Sequence, residues 1–368
     1  MGAIAGSAAV SFTAARRSTS RRAARRSLAW CILMASLMAC LGATGPLAHC
    51  QEDRVVVQSG TGPQQVSWSG RIVDYNGREL VLERPSGQLQ RFRADQVVAI
   101  QTTWPDTYQV ADERAAAGDW AAAAPVWRQT LDRETRPWAR RLLAARLVRA
   151  YYESGQFDAA AELFAALVQE DPYPPFYADW PLPWGETPGV TSLQTKALDW
   201  ITRPQPALQL VGAAWLIGSP ERHRAQQVLA ALVAKSEHPL VAALARCQLW
   251  RLAAAGGPAP GDRQQAEVII RQLPEAVRAG PYFVLGQWCQ QQNDRDGAML
   301  AWLRVAILYP DRPRLASEAL WRAAVLTQQS DAARAAALYA ELAERFASTP
   351  LAAEARRRAE ALSTAESR

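Results

Sequence analysis

Tyr282-Phe-Val-Leu-Gly286-Gln-Trp-Cys289, followed by Ala298, Trp302, Val305 and Pro310, is the stretch whose reading decides the fold of this 368-residue chain. Its spacing is that of two antiparallel helices that cross so closely that small residues must sit at the contact. Gly286 and Ala298 are those residues. Trp302 fills the space beside them. Pro310 stops the second helix, because proline has no N–H to donate and its ring clashes with the preceding turn.

The pattern recurs. Gly118-Asp119-Trp120, Ala123 and Trp127 match Gly155-Gln156-Phe157, Ala160 and Phe164 at an offset of 37 residues, and Ala298 and Trp302 return 37 residues on as Ala335 and Tyr339. Asn293-Asp294 and Ser330-Asp331 take the turn positions; both pairs favour turns and helix starts. On these residues the chain resembles bacterial cell-envelope tetratricopeptide-repeat (TPR) proteins over 107–172 and 282–362. The turn Phe346-Ala347-Ser348-Thr349-Pro350 with its alanine-rich helix is similar to repeats of envelope-assembly and division-coordinating proteins. The resemblance implies stacked helix pairs, protein–protein interaction and no catalysis. It also implies a concave face lined by the first helix of each pair. Counting from Gly155 puts Arg149, Tyr152 and Glu153 there, and counting from Gly286 puts Phe283, Gln287, Gln290 and Gln291 there, with Thr327 and Gln328 extending the surface. Family members that clamp a C-terminal carboxylate carry lysine and asparagine where this chain has Ala145, Arg149, Phe283 and Gln287, so that clamp is not implied.

Outside the repeats the chain divides further. Residues 51–104 read as a small β-domain, its strands falling within 64–103. Val66, Trp68 and Ile72 alternate with polar residues, Asn76-Gly77 favours a tight hairpin turn, and Pro85-Ser86-Gly87 makes a second one. Four or five short strands in that span suggest an SH3-like or Sm-like barrel that packs against a neighbour. Residues 105–172 hold two TPR-like repeats. Residues 173–191 are too apolar for a linker: six prolines and five aromatics crowd Pro172 to Pro188. That loop either seals the end of the first helical array or faces a ligand with Trp180 and Trp184 as anchors. In 192–280, Pro206, Leu208, Val211, Gly212 and Leu216 recur 33 residues later as Pro239, Val241, Leu244, Ala245 and Leu249, which resembles HEAT-type repeats. Residues 281–368 give two TPR repeats and a capping helix. The expected fold is mainly α: an elongated TPR/HEAT-like α-solenoid preceded by the small barrel.

The formal net charge of +6 belongs to the first 50 residues, which carry six arginines and no acidic residue. Without them 35 basic and 35 acidic residues remain, which gives no basic face for nucleic acid. The same segment has the arginine-rich start, apolar run (Leu28 to Leu41) and small residues of a secretion signal. Three outcomes stay open: cleavage after Cys50, retention as an N-terminal membrane tether, or lipidation at Cys40 within Leu37-Met38-Ala39-Cys40. The protein is therefore expected in the periplasm or cell envelope.

No set for chemistry emerges. His223 and His238 are solitary, metal-ligand spacing is absent, and there is no phosphate loop and no serine elbow. Catalytic, cofactor and metal residues are thus expected to be none. The sequence reads as a non-enzymatic exported scaffold whose partner is a protein. The alternatives are an envelope enzyme or enzyme subunit with catalytic residues on unrecognised loops, or a membrane-tethered structural spacer. Mass spectrometry of the native N-terminus is expected to find Gln51 or a neighbour; a lipid on Cys40 or an intact leader would mean anchoring.

Overall fold

A computed structural model describes residues 52–59, 64–185, 191–253 and 261–366. The leader readings, Cys40 included, fall outside these residues. Among the described residues the chain is mainly helical: a five-stranded antiparallel sheet is followed by fourteen α-helices.

The strands are β1 (Asp53–Gln58), β2 (Gln65–Tyr75), β3 (Glu79–Glu83), β4 (Leu89–Arg93) and β5 (Val97–Gln101), in the order β4-β3-β2-β1-β5. Alternation buries Val55 and Val57 of β1, which pair with Trp68 and Val66 of β2. Strand β1 lies outside the span read as β from sequence. Its Val55-Val56-Val57 run hides the period of two, because Val56 turns to the other face. The Asn76-Gly77 turn is the tight hairpin expected between β2 and β3, the Asn76 N–H donating to the Glu79 carbonyl (3.0 Å), but neither residue is left-handed. Instead the Asn76 side-chain oxygen accepts the N–H groups of Arg78 (2.9 Å) and Glu79 (3.2 Å). Gly77 is needed for contact: its N–H donates to Asp171 (2.7 Å), and a Cβ there would overlap the Tyr173 carbonyl. The hairpin is therefore a plug into the helical part.

The helices are α1 (Asp106–Ala116), α2 (Trp120–Arg133), α3 (Pro137–Glu153), α4 (Phe157–Glu170), α5 (Thr191–Trp200), α6 (Pro206–Leu216) and α7 (Arg222–Lys235), then α8 (Pro239–Trp250), α9 (Arg263–Gln272), α10 (Ala279–Gln291), α11 (Arg295–Leu308), α12 (Pro313–Gln328), α13 (Ala332–Arg345) and α14 (Ala352–Glu366). Pro137, Pro206, Pro239 and Pro313 each open a helix, where a missing N–H costs nothing. Three of the turns inside pairs share one geometry. Gly118, Gly155 and Asn293 are all left-handed, and asparagine tolerates that region better than other side chains. Asp119, Asp294 and Asp331 then cap the next helix by accepting an N–H three residues on.

The residues matched across the repeats are core. Ala123, Ala160, Ala298 and Ala335 are fully buried, and Trp127, Phe164, Trp302 and Tyr339 fill the space beside them. In the 33-residue pattern Leu208, Val211, Gly212, Val241, Leu244 and Ala245 are buried likewise. Apart from α8 and α9, sequential helices pack as neighbours, and α4, α6, α8, α10 and α12 also touch in series. The end of α3 meets the start of α12: Arg149 donates to the Asp311 carboxylate (2.8 Å), and Glu153 accepts the Arg314 N–H (3.2 Å).

At the crossing of α10 and α11, the Trp302 indole lies on Gly286 and donates to the Phe283 carbonyl (3.2 Å). A Cβ at Gly286 would overlap the indole ring. Gly286→Ala is expected to destabilise the protein by about 1–3 kcal/mol, since the indole must shift and lose its bond. Urea denaturation measures this; an unchanged midpoint would mean that the crossing has room to spare.

Candidate functional site

The candidate surface begins with the proline- and aromatic-rich segment after α4. It runs across α3, α6 and α8, with side chains bonded to its backbone carbonyls. Trp215 of α6 donates to Pro181 (3.0 Å), Tyr152 of α3 to Leu182 (3.3 Å), and Gln248 of α8 to Pro183 (3.1 Å). Arg251, just past α8, also donates to Pro183 (2.7 Å). Burial pushes the Arg251 guanidinium down to about 10. Trp180 packs between Phe164 and Tyr177. Trp184 lies flat on Gly280, where any Cβ would collide with it.

Beside this segment is a cavity of about 370 Å³. Arg149, Tyr152, Glu153, Trp180, Trp184 and Gln290 line it, so six of the nine residues singled out from sequence are brought together. Three are not. Phe283 is fully buried, with the Arg322 guanidinium 5.5 Å above its ring, so it packs the helix interior instead of facing a groove. Gln287 and Gln291 lie on α10 away from the cavity. Thr327 is buried too, its hydroxyl donating to Ala323. Sequence reasoning missed Asp179, Arg312, Arg314, Glu318 and Trp321, which also line the cavity. Arg312-Pro313-Arg314 sits at a helix start, and nothing local says that this start faces α3 across 160 residues of chain.

The charges are unevenly spent. Arg149 is buried between Asp311 and Asp179 (3.6 Å), with its guanidinium 4.9 Å over the Trp120 ring and its Nε without a hydrogen-bond partner. Burial works against the Asp311 charge, but Arg149 and Arg312 hold that carboxyl below its usual value. Glu318 pairs with Arg322 (2.9 Å). Among the described residues Arg312 makes an ion contact only to its neighbour Asp311, at 3.6 Å, and burial together with Arg149 pushes it down to about 10. Arg314 lies 5.0 Å over the Phe157 ring and has no acidic partner among the described residues. Glu153 is buried, takes only the Arg314 N–H, and has no guanidinium in ion-pair contact among the described residues. Burial pushes its carboxyl up, against the pull of Arg149 and Arg312.

His238 stands apart from this cluster. Its Nε2 is 2.7 Å from the Tyr177 hydroxyl, and its ring stacks on Tyr173 at 4.8 Å, so it packs the proline-rich segment against the start of α8. Burial lowers its pKa. Cys247 and Cys289 are buried free thiols, pushed by burial up to about 12 and about 11. Among the described residues no group of three or more His, Cys, Asp and Glu side chains is placed to hold a metal ion, and no helix is long and apolar enough to cross a membrane. No family model matches the chain, and no curated protein matches it.

Glu153 has a consequence for pH. A carboxyl raised in the fold stabilises below its unfolded value, and that contribution is lost as pH rises through the raised value. Glu153→Gln, which keeps the acceptor for Arg314, is therefore expected to raise the melting temperature at pH 7. The gain should close as pH falls to about 4. Melts at the two pH values test this; lower stability of the variant at pH 7 would mean that the arginines more than offset the burial.

Proposed function

We propose that the protein is a non-enzymatic, exported scaffold of the bacterial cell envelope that binds another protein through the inner face of a TPR/HEAT-like α-solenoid. The observation that carries this reading is the cavity. Four stretches far apart in sequence converge on it: the end of α3, the proline-rich segment, the start of α10, and α12. The shared left-handed turns at Gly118, Gly155 and Asn293, with aspartate caps after the first and third, support the repeat reading. Pairing of β5 with β1, and the 3-10 turn Ala94–Gln96 between β4 and β5, support an SH3-like barrel for the sheet. The sheet's Trp138–Val55–Leu80 core ties it to α3, which supports a packing role over a second binding module. Export, with a cleaved or tethering leader, rests on the sequence of the first 50 residues.

A partner would enter over the rim, where Gln290 and Val325 are exposed and Trp321 is half-buried. Arg149 and Tyr152 are too deeply built in to be clean probes. Replacing Gln290 and Val325 together with glutamate is expected to weaken affinity capture of a partner from envelope extract by about 1–3 kcal/mol without changing the helical circular dichroism. The same change at exposed Val268 and Leu300 should leave capture intact. Capture indifferent to the rim, or turnover of an envelope substrate in place of capture, would overturn the scaffold reading.

A further inference from the structure

The cavity holds two guanidiniums and one carboxylate that the fold leaves with little to do. Among the described residues Arg312 makes one long ion contact, to its own neighbour, and the Arg314 guanidinium stands over the Phe157 ring with no acidic partner. Glu153 is more than nine-tenths buried, lines the same space, and uses one carboxylate oxygen on a single backbone N–H. Buried charges are normally paired, and leaving one unpaired costs more than an exposed surface pair gains. Opposite charges that share a cavity without closing on each other are complementary to a ligand that carries both. The start of α12 adds its positive end on the Arg312–Arg314 side. Tyr152, Phe157 and Trp184 supply apolar wall beside the charges, and the volume of about 370 Å³ suits a small molecule.

We infer that this cavity binds a zwitterionic α-amino acid with an apolar or aromatic side chain, its carboxylate between Arg312 and Arg314 and its ammonium at Glu153. Such a ligand needs only the cavity, so its binding stands or falls separately from capture of a protein partner. It would also supply what the fold lacks. The ammonium gives Glu153 the close ion-pair contact that it does not make among the described residues, and the carboxylate gives the two arginines a charged acceptor.

The test is isothermal titration of the full chain with L-phenylalanine, N-acetyl-L-phenylalanine, L-phenylalaninamide and inorganic phosphate. Phenylalanine is expected to bind. The acetylated form lacks the ammonium and the amide lacks the carboxylate, and each should bind about ten- to a hundredfold more weakly, because one buried charge is then left without its partner. Arg314→Gln should weaken phenylalanine to a similar degree. Glu153→Gln should weaken phenylalanine but not its acetylated form, and that difference reads the ammonium contact even if the variant changes overall stability. Phosphate binding as tightly as phenylalanine would overturn the proposal in favour of a bare anion site. No binding of phenylalanine at millimolar concentration, or binding indifferent to both substitutions, would overturn it outright.

Discussion

A run such as Pro181-Leu182-Pro183 brings backbone carbonyls into an interior but has few N–H groups with which to pair them. Everything around it follows from that shortage. A buried carbonyl left without a donor costs on the order of 1–3 kcal/mol. Three consecutive carbonyls would therefore be intolerable unless other elements came to them. Here the donors come from α3, α6, α8 and the turn after α8, through Tyr152, Trp215, Gln248 and Arg251. Each donor fixes the distance of its own helix from the segment. The segment thus sets the spacing of the helices that surround it. Gly280 completes the arrangement by leaving α10 bare where Trp184 must lie.

That spacing has an electrostatic result. With the segment inside, the chain bends far enough for the end of α3 to reach the start of α12. The meeting is made almost wholly of charged groups. Arg149, Asp179, Asp311 and Arg312 stabilise one another in part, but burial drives Arg312 down to about 10 and Glu153 up, so both sit there at some cost. Hydrophobic residues of similar size would close the same gap at less cost. Residues kept where they weaken the fold are those that a binding surface needs, because stability and site chemistry pull in opposite directions. A buried carboxylate that takes one backbone N–H, beside guanidiniums it does not pair with, is the geometry that a ligand would complete.

How much of this was legible in the sequence depends on the range of the interaction. Helix pairs were readable because Ala123, Ala160, Ala298 and Ala335 repeat a local packing rule, and local rules leave a period. Gly286 was readable for the same reason: the large residue that covers it, Trp302, sits on the next helix. Strand β1 was not, because three valines in a row carry no alternation. Phe283 was misplaced because a helical count gives a direction but not what stands there, and Arg322 stands there. The cavity residues on α3 and α10 were found by counting, whereas Asp179, Arg312 and Arg314 were not. They join the site through a contact 160 residues long, and one sequence holds no periodicity at that distance.

The sheet enters the same chain of dependence through α3. Trp138 and Ala139, at the start of that helix, are buried with Val55, Ile72 and Leu80 of the sheet, and Arg141 donates to the Tyr75 carbonyl (2.9 Å). Glu153 ends the helix twelve residues after Arg141, about 18 Å along at the rise of an α-helix. A rod held firmly at one end defines the position of the other. The Gly77 N–H on Asp171 and the Tyr75 ring against Phe176 hold the adjoining stretch in the same way, from the end of α4 into the proline-rich segment. Both walls that carry Arg149, Tyr152, Glu153 and Asp179 are thus braced from the sheet. That gives the sheet a mechanical part in the candidate site that requires no ligand of its own.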